Sequence, residues 1–71
     1  MPREEQTVYT KIVEIREKHA RELNLPPNTI LNKQHIVDIA YNIHQVKHIH
    51  FTPVVPQNRQ KMIISEILAL A

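Results

Sequence analysis

Three observations on this 71-residue chain predict an all-α fold, a compact bundle of four to five short helices. Apolar residues recur every three or four positions in separate segments, which is the period of one helix face. Two proline-bounded stretches, residues 24–28 and 52–56, cut those segments apart. No segment alternates apolar and polar residues as a half-buried strand would, and no internal repeat or linker divides the chain. Residues 1–71 are therefore expected to form one domain with its core at about 8–70. A domain this small buries about 60% of the surface its unfolded chain exposes, so the core is thin. With no tryptophan and one phenylalanine, it has to be built from Val, Ile, Leu and Met.

The first helix is expected at about 7–23, where Val8, Ile12, Ile15, His19 or Ala20, and Leu23 trace one stripe. Glu14 with Lys18, and Glu17 with Arg21, stand four apart on its outer side and should pair on a solvated face, each pair stabilising by a few tenths of a kcal/mol. Asn24-Leu25-Pro26-Pro27-Asn28 stops this helix. Each proline lacks an amide hydrogen and pushes the residue before it out of the α region. Asn24 and Asn28 stand where glycine would be usual, asparagine being the other residue that tolerates the left-handed conformation.

Asn32 is placed to cap a second helix at about 33–42, with Ile36, Val37, Ile39, Ala40 and Ile43 on its apolar positions. A short third helix is expected from His44 to Ile49, with Val46 and Ile49 inward. Thr52-Pro53-Val54-Val55-Pro56 is the second break. The last helix starts near Pro56 or Gln57, a proline being tolerated in a first turn. Met62, Ile63, Ile64, Ile67, Leu68 and Leu70 should form its broad buried face.

Composition excludes several chemistries. The chain has no glycine, which rules out Walker-type loops and dinucleotide fingerprints, since both need backbone that can approach a phosphate closely. It has no cysteine, hence no disulfide framework, cysteine nucleophile or thiolate zinc site. The longest apolar run is the five residues 67–71, against about 20 for a membrane span, and the N-terminus does not read as a signal peptide. The expectation is a soluble intracellular domain, cytoplasmic or nuclear, with no membrane partner.

The net charge of +2 is unevenly spread. Residues 1–23 hold five basic side chains against five acidic ones. The remainder holds Lys33, Lys47, Arg59 and Lys61 against Asp38 and Glu66, four against two, which accounts for the whole excess. An anionic partner is expected on that second half.

The ordered set Ile12-x-x-Ile15-Arg16-x-x-x-Ala20, Leu25-Pro26-Pro27-x-x-Ile30 and Ile36-x-x-Ile39-Ala40, followed by a final amphipathic helix, resembles the HRDC domain. That is the helicase-and-RNase-D C-terminal module of RecQ-type helicases, RNase D and exosome-associated 3′ to 5′ exonucleases. The resemblance spans residues 12 to about 70 and implies a domain excised from a longer protein. Helicase HRDC domains often carry a glycine turn before the final helix that helps form a nucleic-acid contact. Here that place is Thr52–Pro56, which offers fewer free amides to a phosphate and looks more like the RNase D and exosome-nuclease branch.

Catalysis is not expected within the chain. Outside the first helix and the N-terminus the carboxylates are Asp38 and Glu66, too few for the two-metal site of a 3′ to 5′ exonuclease. Ser65, the one serine, lacks a glycine elbow. His44, His48 and His50 form the one metal-like cluster, the first two sharing a helix face at four-residue spacing if the third helix forms, but a structural zinc site wants four ligands, and a fourth would have to come from His35, Asp38 or elsewhere. No metal or cofactor is expected. His19 is read as a hydrogen-bonded histidine at the core edge, and Arg16 as a structural arginine bonded to a carbonyl or carboxylate.

Lys33, Lys47, Arg59 and Lys61 are the nucleic-acid-binding candidates, expected to dock phosphates weakly and salt-sensitively without base readout. Arg59 and Lys61 are expected to be dispensable for folding. Tyr9, Tyr41 and Phe51 are the residues able to stack on bases. The expectation is thus a monomeric, non-catalytic accessory domain that positions single-stranded DNA or RNA, or structured RNA, for a linked nuclease or helicase. The alternative is a protein-docking module, as in the HRDC-like subunits of archaeal and eukaryotic RNA polymerases, using the uncharged stretch with Ile49, Phe51, Val54 and Val55.

Overall fold

A computed structural model describes residues 3–70; Met1, Pro2 and Ala71, at the ends of the expected domain, lie outside the described residues. Helix α1 runs Arg3–Leu23, α2 is the single turn Pro27–Ile30, and α3 is Lys33–Tyr41. A 3₁₀ segment, Ile43–His48, and α4, Gln57–Leu68, follow. The described residues contain no strand, and the all-α bundle stands as predicted.

Helix α1 begins a turn earlier than its apolar stripe. Glu4 and Glu5 lie in its first turn, where the helix dipole favours negative charge. The hydroxyls of Thr7 and Thr10 donate to the carbonyls of Arg3 and Gln6, four residues back. Apolar spacing marks the buried face only, so it missed this solvated turn.

The far end of α1 closes in a Schellman arrangement: the Leu25 N–H reaches the Ala20 carbonyl at 2.9 Å and the Asn24 N–H reaches the Arg21 carbonyl at 3.3 Å. Asn24 sits at φ 56, the left-handed conformation expected of it. Asn28 does not; it lies inside the helical turn α2, where Pro27 occupies a first-turn position. The two prolines already redirect the chain, and no left-handed residue is needed there.

Asn32 caps α3, its Oδ1 accepting the His35 N–H at 2.8 Å. Asn42 repeats the device for the 3₁₀ segment by accepting the His44 N–H at 3.2 Å. The 52–56 stretch folds as a turn closed by the Val55 N–H on the Thr52 carbonyl at 3.0 Å. The Thr52 hydroxyl donates to the Thr29 carbonyl at 2.8 Å and ties this turn to α2.

Every element contributes to one core. Ile12 and Ala20 come from α1, Ile30 and Leu31 from α2 and its exit, Ile36 and Ile39 from α3, Val46 from the 3₁₀ segment, Val55 from the turn, and Ile63 and Ile67 from α4. Each of these Val, Leu and Ile side chains stabilises by about 1.5–3 kcal/mol when fully buried. Ala20 packs closely, as its small side chain suggested. Met62 departs from expectation: it is 46% exposed, because Ile63 and Ile67 already fill the interior side of α4.

Candidate nucleic-acid interface

The polar centre of the domain joins α1 to α4. His19 is wholly buried. Its Nε2–H donates to Glu66 Oε2 at 3.0 Å, and its bare Nδ1 accepts from Arg59 Nη1 at 3.2 Å. The neutral Nε2–H tautomer is the one that satisfies both partners. Around this ring, Lys18 Nζ donates to Glu66 Oε1 at 3.0 Å, and Arg59 forms an ion pair with Glu22. His19 is therefore the hydrogen-bonded histidine expected, though deeper than the core edge.

The ion pairs of α1 correct the expected surface ladder. Among the described residues Glu14–Lys18 and Glu17–Arg21 do not form; Lys18 turns to Glu66, and Glu17 pairs with Arg16 at 3.4 Å. For Lys18 the partner is a carboxylate that His19 already holds in place, so less side-chain freedom is lost in reaching it than in forming a pair on a solvated face. Arg16 acts as read, its Nη1 donating to the Leu31 carbonyl at 3.1 Å and so holding the chain between α2 and α3 onto α1.

Burial pushes the Glu66 carboxyl up, but hydrogen bonds from Lys18 and His19 and the nearby positive charge outweigh it and hold it below its ordinary value. The Arg59 hydrogen bond and charge hold the Glu22 carboxyl down in the same way.

The four predicted cations divide. Lys33, Lys47 and Lys61 are exposed and form no ion pair among the described residues. Arg59 is half-buried and engaged by Glu22 and His19. The four do not form one cluster: Lys33 opens α3, Lys47 lies in the 3₁₀ segment, and Arg59 and Lys61 lie on α4. Lys33 shares with Gln6, Tyr9, Thr10 and Val37 a groove of about 350 Å³ between α1 and α3.

Of the aromatics, Tyr41 is exposed, whereas Tyr9 and Phe51 are half-buried against the core. In the stretch read as a docking surface, Val55 is core, Ile49 and Phe51 pack against it, and Val54 is the exposed member. His44 and His48 do not share a helix face. The segment is a 3₁₀ helix with three residues per turn, so positions four apart fall about 120° apart. Among the described residues no group of three His, Asp or Glu side chains is placed to hold a metal ion, and no helix is long and apolar enough to cross a membrane.

A small helical module whose unpaired charge is basic is the class this geometry defines. The family model of the HRDC domain matches residues 5–43, more than half of the chain, and the chain belongs to that family. The matched span covers most of α1, with α2, α3 and the bonds of Arg16 and Asn32. HRDC domains are accessory, nucleic-acid-associated modules and generally non-catalytic. Comparison with curated proteins and with solved structures finds no match.

Proposed function

We propose that this domain is a non-catalytic accessory module that positions single-stranded nucleic acid, or structured RNA, for a nuclease or helicase on the same longer polypeptide. The observation that supports it most is where charge remains after internal pairing. Between residues 24 and 70, Arg59 and Glu66 are both taken up by α1, which leaves Lys33, Lys47 and Lys61 against Asp38, three minus one, or +2. In α1 the charges left over are Arg3, Lys11 and Arg21 against Glu4, Glu5 and Glu14, which cancel.

Phosphates dock on the three lysines. Arg59 joins them only by giving up Glu22, so it serves first to hold α4 on α1. Three phosphate contacts to a single strand give a salt slope near −2 on logarithmic axes, or about twentyfold weaker binding at 200 mM than at 50 mM salt. Titrating the amide spectrum of the domain with an oligonucleotide at these two concentrations checks this. Shifts around Lys33, Lys47 and Lys61 that fade in salt, and vanish when all three are changed to glutamate, are expected. An unmutated domain silent at low salt overturns the reading.

A further inference from the structure

The groove between α1 and α3 has features that simple phosphate docking does not use. Gln6, Tyr9 and Thr10 stand at helical spacing on one face of α1, and Lys33 and Val37, four apart, stand on the facing side of α3. At about 350 Å³ the groove falls within the roughly 300–1,000 Å³ of small-ligand sites. Its walls are the half-buried ring of Tyr9 and the side chain of Val37. The Thr10 hydroxyl donates to the Gln6 carbonyl at 3.0 Å, so the groups left to donate to a ligand are the Gln6 amide, the Lys33 ammonium and the Tyr9 hydroxyl.

Charge decides what such a groove accepts. No carboxylate lines it. The larger groove at the end of α1, about 490 Å³, is bordered by Glu17, and the one beside Lys18 and Arg21 is bordered by Glu22. Asp38, next to Val37 in the chain, is engaged by the Gln34 amide at 3.0 Å. Lys33 also opens a nine-residue helix, where the dipole presents partial positive charge; of its first three amides that of His35 is capped by Asn32, which leaves those of Lys33 and Gln34. Aromatic wall, amide and single cation together match a planar base linked to a phosphate.

We propose that this groove is a nucleotide subsite, one base of a single strand stacking on Tyr9 against Val37 with its edge on Gln6 and its phosphate on Lys33. The assignment rests on the accessory nucleic-acid reading above and adds to it a base contact at one defined place. Stacking on an aromatic face is tolerant of base identity, so the subsite takes any base and gives grip rather than sequence readout.

The test is an amide-shift titration of the domain with three strands of equal length, oligo-deoxythymidine, oligouridine and an abasic strand, and with oligo-glutamate as a fourth probe. Expected is movement of Gln6, Tyr9, Thr10 and Val37 with at least one base-bearing strand, and, with the abasic one, of Lys33 itself and the surroundings of Lys47 and Lys61 while Gln6, Tyr9 and Thr10 stay still. Comparing the deoxythymidine and uridine arms tells DNA from RNA. Tyr9→Leu, which keeps an apolar side chain against the core, should weaken the base-bearing strand about tenfold, the loss of one stacked base, and leave abasic binding unchanged. Lysine shifts with a silent groove, or groove shifts equal for abasic and base-bearing strands, overturn the subsite and leave the accessory reading standing. No shift with any strand overturns both. Groove shifts with oligo-glutamate but not with the strands assign the groove to an acidic peptide and overturn the subsite.

Discussion

Replacing His19 by leucine should cost about 2–3 kcal/mol while leaving the bundle's apolar packing largely in place. Leucine is close to the imidazole in volume, so the term for an empty cavity is small and the loss is mainly one of hydrogen bonds. His19 makes two, to Glu66 at 3.0 Å and to Arg59 at 3.2 Å. A hydrogen bond to a charged group contributes about 1.5–3 kcal/mol net. Neither partner is stranded, since Glu66 keeps Lys18 with a side chain 30% exposed and Arg59 keeps Glu22 at 26%. Water therefore recovers part of each bond, and about 1–1.5 kcal/mol apiece remains.

A 71-residue domain has about 4–11 kcal/mol of stability in all. A loss of 2–3 kcal/mol would lower Tm by about 10–20 °C. Far-ultraviolet circular dichroism melts of parent, His19→Leu, Glu66→Gln and the double variant measure it, with a coupling of about 1 kcal/mol expected between the two sites. The reasoning fails if His19→Leu melts within about 3 °C of the parent or above it. The cluster would then be exchangeable for apolar packing, as buried ion pairs often are, and the α1–α4 contact would depend on its aliphatic residues alone.

Two further outcomes follow from the same structure. Glu66 and Glu22 are both held below the usual 4.5, so their contribution is present above that value and lost as pH falls through their lowered folded-state values. Urea midpoints should drop on acidification below about pH 4.5, and Glu66→Gln should flatten that drop; a variant profile parallel to the parent's contradicts the assignment. Asn24→Ala should destabilise by about 1 kcal/mol because φ 56 is costly for a residue with an ordinary Cβ, while Asn24→Gly should be neutral or mildly stabilising. Urea unfolding of the two variants decides it, and equal loss in both would be inconsistent with a backbone cause.

Much of the architecture is legible along the chain because its signals are short-range. Asn24 ends α1, Asn32 begins α3, and each acts through backbone groups within a few residues. Arg16 was recognisable from its place beside an aliphatic stripe with Ala20 one turn on, and its carbonyl partner, Leu31, is 15 residues away. The early start of α1 was missed because its first turn is solvated. The 3₁₀ winding was missed because six residues with one inward valine do not distinguish three residues per turn from 3.6.

The candidate site was legible as an inventory and not as an arrangement. Lys33, Lys47, Arg59 and Lys61 look alike in sequence, four cations against two carboxylates on the second half of the chain. Arg59 differs because α4 lies against α1 and brings Glu22 and His19, 37 and 40 residues away, within reach. The Tyr9–Lys33 groove likewise exists only where two helices meet.

Periodicity, capping and proline chemistry depend on neighbours a few bonds apart, and they were enough to specify a glycine-free all-α bundle, most of its helix limits and most of its aliphatic core. Which cations stay free, which partners hold the buried His19, and which aromatic borders the groove between α1 and α3 depend on contacts between residues dozens of positions apart. Those contacts are selected when the apolar faces of α1, α3 and α4 close on one another, because the charged groups at their rims can find partners only after the packing has set their distances.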